Sequence, residues 1–420
     1  MTPLNVASFG FPHKIPAKAL AVSLFCFIFA SELQNRRCME ATTRTMQRLS
    51  IIILLICTPL LLCSKGTKTT EIDFSILNGK MTLRGVLSEP ENLIPNAPLL
   101  VLVSPPQPIS RDYRGFFKAL SDTLNKYGIA TFRYDNRNFS DTINSEPNDG
   151  RYTIHDGADD LHDAIAFLKK NQNRPIGLVG HSEGGSISIV ETARNPEVKF
   201  LLLLATSGLS GEQFAYSQQV SRLEYLSHIV PTQKMKLFKY NLYRTIHILA
   251  NNPDNETAFS KLRAEARRFY RENETQKLGK ESFFGKQSED EYVKDVFRRP
   301  EEDKRYLAFI RYNPADYFPT IKCPVFIAYA KDDNLMRYKE NQEGLERFLM
   351  ENRHLDYYSI AIDSVTHSFE DSGGIFQPLM PHFVRHEKKQ NKGYQAGKGF
   401  SELCRNMVAW IENRKDLLKK

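Results

Sequence analysis

The sequence is short of the residues that staple or brace unusual folds. It holds six cysteines in 420 residues, and four of them (Cys26, Cys38, Cys57 and Cys63) lie before residue 64. The remaining two, Cys323 and Cys404, cannot build a disulfide framework of the kind that supports small secreted domains; packing roles in the interior are expected for both. Glycine (22) and proline (21) are neither dense nor periodic, which excludes a collagen-like repeat. No histidine pair stands at metal-ligand spacing, so neither a metal nor an organic cofactor is implied. No uncharged apolar run reaches the roughly 20 residues of a bilayer span.

A net positive charge is also missing from the middle of the chain, although the formal net charge of the whole is +8. Residues 1–65 carry seven basic and two acidic side chains, and residues 375–420 carry ten and four, which leaves a net −3 for residues 66–374. A basic groove for nucleic acid is therefore not expected in the body.

The amino-terminal excess accompanies a leader pattern. Arg44 and Arg48 precede the 13-residue apolar run Ile51–Cys63, and a basic start followed by 7–15 apolar residues is how a secretory signal reads. Residues 1–65 are expected to form a leader that exports the protein to a periplasmic or other extracytoplasmic location. Leu60-Leu61-Leu62-Cys63 resembles a lipoprotein box, which would anchor the chain to a membrane through Cys63. Residues 1–45 read either as an over-extended start before Met46 or as part of a two-segment anchor.

Beyond the leader, apolar strands alternate with amphipathic helices. Thr70–Leu77 and Lys80–Leu87 flank Asn78-Gly79, a hairpin signal. Pro98–Val103, Ile129–Tyr134, Pro175–Val179, Phe200–Ala205, Val325–Tyr329 and Leu355–Ile362 read as strands. Tyr113, Phe116, Phe117, Leu120 and Leu124 carry helical spacing, stopped by Gly128. Leu161, Ala164, Ile165 and Leu168 mark a second helix. Such alternation predicts an α/β fold, a mostly parallel central sheet with helices on both faces. Between residues 207 and 322 it gives way to charged, aromatic helical segments, read as a helical cap insertion dividing a core of residues 66–206 and 323–420.

Residues 175–185 read PIGLVGHSEGG. Gly180-His181-Ser182-Glu183-Gly184 satisfies G-x-S-x-G between a buried strand and a helix-compatible run. A strand-to-helix turn that doubles back needs small neighbours, and Gly180 and Gly184 supply them. A serine hydroxyl becomes a nucleophile only when a base takes its proton and an acid orients the base. Strand Val325–Tyr329 leads to the adjacent acids Asp332 and Asp333, and strand Leu355–Ile362 leads to His367. The order serine, acid, histidine and the strand-end placement suit acyl transfer with Ser182 as nucleophile and His367 as base. His181 is a poor base, because adjacent residues on a tight turn point apart.

From about residue 70 to 415 the chain resembles the bacterial α/β-hydrolase family related to esterases and serine-aminopeptidase-like hydrolases. The stretches RDYRGFFKALSDTLNKYGIATFRYDNR, IGLVGHSEGG and KCPVFIAYAKDDNLMRYKEN carry the likeness, with the His367 loop. In that family the acid precedes a Lys-Glu-Asn triplet by some six residues. Here the triplet is Lys339-Glu340-Asn341, which implies Asp333 as the acid. The resemblance implies the α/β-hydrolase fold and a serine hydrolase acting on a small-molecule ester or related acyl substrate.

One stretch departs from the family. The oxyanion hole needs two N–H donors; the first is expected from the backbone of Glu183 and the second from the loop after strand Pro98–Val103. Relatives carry glycines there, whereas this chain has Ser104-Pro105-Pro106-Gln107-Pro108. Proline has no N–H, so Gln107 is the expected donor, with Ser104 the alternative. Asn138 also replaces a usual glycine. The leading expectation is an exported carboxylic ester hydrolase. Alternatives are an aminopeptidase- or thioesterase-type hydrolase, with Glu265, Glu272 or Glu274 holding a substrate ammonium, or a catalytically silent scaffold that binds a ligand or partner.

Overall fold

The computed structural model describes residues 66–139, 152–225, 230–275, 277–278, 281–354, 356–373 and 394–414. The readings of residues 1–65, including export, Cys63 lipidation and the start at Met46, lie outside them.

Eight strands form one sheet. β1 (Thr67–Ile76) and β2 (Met81–Pro90) make the expected antiparallel hairpin. Its turn is longer than Asn78-Gly79 alone, with Leu77, Asn78 and Gly79 all at positive φ. β3 (Leu99–Val103), β4 (Thr131–Tyr134), β5 (Ile176–His181) and β6 (Val198–Leu204) follow. After a short separate hairpin, β7 (Lys277–Leu278) and β8 (Glu281–Ser282), the main sheet resumes with β9 (Val325–Ala330) and β10 (Tyr357–Ile362). The order is β1-β2-β4-β3-β5-β6-β9-β10, and every pairing from β4 to β10 is parallel.

Strands β3, β5 and β9 are buried along their whole length, which is why their sequences are continuous apolar runs without alternation. Helix α1 (Phe116–Lys126) turns Phe116, Phe117, Leu120 and Leu124 onto one face of the sheet and ends before Gly128, at φ +79°. α2 (Ile154–Asn171) and α3 (Glu183–Arg194) cover the other face. The Thr153–Asp156 capping box starts α2, satisfying amide groups that a helix end would otherwise leave unpaired.

Among the described residues, five α-helices lie between β6 and β9: α4 (Gly211–Tyr225), α5 (Thr232–Ala250), α6 (Asn255–Asn273), α7 (Glu289–Glu302) and α8 (Lys304–Arg311). They share an apolar cluster of their own, with Leu249, Leu262, Ala266, Phe269 and Ile310 almost fully buried. These helices lie between β6 and β9 of the main sheet. α9 (Tyr338–Glu351) and α10 (Lys398–Glu412) complete the covering of the sheet. Among the described residues no helix is long and apolar enough to cross a membrane. Cys404 is buried and Cys323 half-buried, and burial pushes both thiols up to about 12.

Candidate active site

β5 runs two residues further than its apolar pattern suggests, to His181, and α3 begins at Glu183. Ser182 alone makes the turn, at φ 56° and ψ −127°. This is a conformation that L-residues avoid at a cost of order 1–3 kcal/mol, so the surroundings must impose it. A Cβ on Gly184 would meet the Val103 carbonyl oxygen, and one on Gly180 would meet the Gly185 backbone. The two expected glycines therefore let α3 lie against β3 and β5. The Ser182 N–H donates to Leu204 O at 2.9 Å, tying the turn to β6.

The loops after β9 and β10 meet each other. His367 Nδ1 and Asp333 Oδ2 lie 2.6 Å apart. The other Asp333 oxygen accepts the Leu335 and Met336 N–H groups at 2.8 and 2.9 Å. These bonds hold the carboxylate in one orientation with its side chain fully out of solvent. Asp332 points elsewhere and accepts Ser372 Oγ at 2.6 Å. Asn341 of the family triplet is buried beneath the loop after β6, where its Oδ1 accepts the Gly208 N–H at 3.1 Å.

Ser182, Glu183 and His367 line a cavity of about 300 Å³ with Gln107. Its apolar lining includes Phe214, Phe309, Leu335 and Met336. The insertion adds Arg299, Asp303 and Arg305, and the Arg305 guanidinium is paired with the Glu183 carboxylate. Glu183 opens α3, where the first N–H groups have no intrahelical acceptor, so its backbone is available to an oxyanion.

The expectation for the Gln107 backbone is corrected. Its N–H donates to Pro105 O at 2.8 Å, closing a three-residue turn. Asn136 Nδ2 donates to Pro105 O at 3.0 Å and also to Gln107 O, which fixes the proline loop in that shape. Three prolines cannot donate; Asn136 meets the Pro105 and Gln107 carbonyls, Asn138 Nδ2 approaches Pro106 O at 3.5 Å, and the Gln107 backbone amide is bonded within the loop. Gln107 lines the cavity with this backbone N–H already engaged.

The acidic residues considered for holding a substrate ammonium do not line the cavity. Glu265 accepts from Arg244 at 3.2 Å and from Arg268 at 2.6 Å, Glu272 accepts from Arg268, and neither these nor Glu274 line the cavity. Asp135, at the end of β4, accepts the Arg111 N–H and guanidinium, both at 2.6 Å. Among the described residues no cluster of His, Cys, Asp and Glu is arranged to hold a metal ion.

Sequence reasoning set His181 aside as a base and saw nothing else in it. The side chain is fully buried, with Nε2 2.8 Å from His367 O and Nδ1 3.2 Å from Tyr113 Oη. Burial first, and the neighbouring His367 second, hold its pKa well below the usual histidine range. Tyr113 is likewise kept protonated by burial.

Residues 111–283 match the family model described as serine aminopeptidase, S33. No curated protein matches the chain in sequence. Among solved structures, an esterase from Pyrococcus furiosus is 14% identical with a TM-score of 0.45, the match covering 82% of this chain and 91% of that one. A carboxyl esterase from Bacillus coagulans is 14% identical with a TM-score of 0.45 and coverage of 83% and 99%. A proline iminopeptidase from Mycobacterium smegmatis is 13% identical with a TM-score of 0.45 and coverage of 84% and 100%. With its sheet order, its strand-to-helix turn at Ser182 and its match to the S33 model, the chain has the α/β-hydrolase fold and resembles the serine-aminopeptidase-like hydrolases of that fold.

Proposed function

We propose that the protein is a serine hydrolase that cleaves carboxylic esters, with Ser182 as nucleophile, His367 as general base and acid, and Asp333 as the group that orients His367. The observation that carries this reading is the 2.6 Å contact between the Asp333 carboxylate, itself held by two amide N–H groups, and Nδ1 of His367, which lines one cavity with the strained Ser182. Since Asp333 accepts at Nδ1, the Nε2 of His367 is left to take the serine proton. Ser182 Oγ attacks the ester carbonyl carbon, and the proton passes to His367. The tetrahedral intermediate then collapses as His367 returns that proton to the departing alcohol. Water, deprotonated by the same imidazole, releases the acid and restores Ser182.

The oxyanion of that intermediate faces the Glu183 N–H on one side. For the second donor the reading turns to the Gln107 side-chain amide, because the Gln107 backbone N–H is already bonded. An amide side chain can serve as such a donor. The Arg44–Cys63 pattern further supports an exported location.

The direct experiment compares wild type and S182A on short- and long-chain p-nitrophenyl esters, aminoacyl amides and thioesters. Ser182-dependent turnover fastest on esters is the expected result. Turnover confined to aminoacyl amides or thioesters would move the substrate class while keeping the chemistry. Ester turnover unchanged in S182A would overturn the mechanism.

A further inference from the structure

His181 belongs to two structures at once. Its backbone ends β5 and feeds the Ser182 turn, and its side chain reaches the carbonyl of His367 on the loop after β10. A carbonyl can only accept, so Nε2 must carry the hydrogen. In the neutral ring Nδ1 is then bare and accepts from the Tyr113 hydroxyl. The tautomer is therefore set by its two partners. The ring has no room to choose another arrangement, with Tyr113, Phe116 and His367 at centroid distances of 5.3, 5.0 and 4.8 Å.

We propose that His181 is a positioning residue for His367: the Nε2–H bond to the His367 carbonyl fixes the imidazole-bearing loop against the turn that carries Ser182. One residue thus sets the spacing between nucleophile and base. The loop is folded on itself, with Ser364 and Phe369 at positive φ and Tyr394 Oη donating to Ser368 O at 2.9 Å, and the His181 bond joins it to the Ser182 turn. Asp333 orients the imidazole ring, while His181 anchors the backbone from which that ring extends. A misplacement of about 1 Å in such a group can cost about 100-fold in rate. The inference rests on the proposed Ser182 chemistry.

The test compares H181Q and H181N in the full chain, with p-nitrophenyl butyrate as substrate and a fluorophosphonate as the Ser182 probe. A glutamine amide reaches the place of Nε2 and keeps a donor for the His367 carbonyl. An asparagine amide reaches only the place of Nδ1 and leaves that carbonyl unpaired. The expected result is a kcat about 100-fold below wild type for H181N, with KM within about twofold, and recovery of at least tenfold of that loss in H181Q. Labelling rates should follow the same order. Equal kcat in the two variants, or a loss carried by KM, would overturn the inference while leaving the Ser182 reading intact. A wild type that does not label would instead remove that reading. If H181N fails to fold by circular dichroism, Y113F removes the donor to Nδ1: a several-fold loss in kcat at unchanged KM supports the inference, and wild-type kcat overturns it.

Discussion

The cavity has two walls made by different means. The core wall, formed at the ends of β5, β9 and β10, is backed by buried, closely bonded side chains. His181, Tyr113, Phe116 and Phe369 pack together around hydrogen bonds of 2.6 to 3.2 Å. The insertion wall, from α4, α7 and α8, sets the charged side chains of Arg299, Asp303 and Arg305 beside the apolar Phe214 and Phe309. Arg299 is more than half exposed, lies 4.0 Å from the centre of the Tyr306 ring, and meets Asp303 only at 3.8 Å. Where the walls meet, Arg305 pairs with Glu183 beside the nucleophile. Chemistry demands fixed geometry and so belongs on strand ends locked by packing, whereas long side chains on helices can adjust to what enters. On this account the core wall sets rate and the insertion wall sets choice of substrate.

That division can be broken most severely at the nucleophile. S182A and H367A should each lower kcat by about 10⁴-fold or more on the preferred ester, and the double variant should be little worse, since the two groups act as a unit. Steady-state kinetics on a common ester measures both. A smaller loss, about 100-fold in kcat, is expected for Q107A if the side-chain amide supplies an oxyanion donor; wild-type kcat in Q107A would remove it from the core wall's machinery. Across the cavity, R305M should change the preference between short and long acyl chains by about tenfold while leaving kcat on the best ester within a few-fold. A large kcat loss with unchanged preference would mean the insertion wall shares in the chemistry.

The smallest effect concerns stability and pH. The folded-state pKa of His181 is lowered by burial and by the adjacent His367. Below the ordinary histidine value of about 6.5 the unfolded chain binds a proton that the folded chain does not, so this residue removes stability as pH falls through that value. Because glutamine does not titrate, H181Q should show a flatter loss of thermal midpoint between pH 7 and pH 5 than wild type. Parallel curves would contradict the burial account of His181.

The two walls also differ in how much of them could be read from the sequence. The Ser182 turn was legible because its cause is local: a buried strand, glycines on both sides and a helix form one continuous stretch. Asp333 and His367 were legible through strand ends, although choosing Asp333 over Asp332 needed the Lys339-Glu340-Asn341 resemblance. The reason for that choice is visible only in the fold, where Asp333 takes the Leu335 and Met336 amides and Asp332 takes Ser372. The proline loop was seen to be unusual, but its outcome depended on Asn136, about thirty positions away, whose amide pins the loop carbonyls. His181 was opaque for the same reason carried further. Its partner carbonyl lies 186 positions along the chain, and no periodicity or motif reports a bond of that span. The helical character of the stretch between β6 and β9 was legible in its charged, aromatic segments. Its cavity-facing residues were not, because charged helix residues look alike until the fold selects which of them approach Ser182.

The central claim is that Ser182 is an activated nucleophile, and covalent labelling tests it most directly. Folded protein treated with a fluorophosphonate and analysed by intact mass and peptide mapping should gain one adduct, located on Ser182. The adduct should be absent in S182A and form much more slowly in H367A. Folded wild-type protein that acquires no Ser182-dependent adduct would contradict the account.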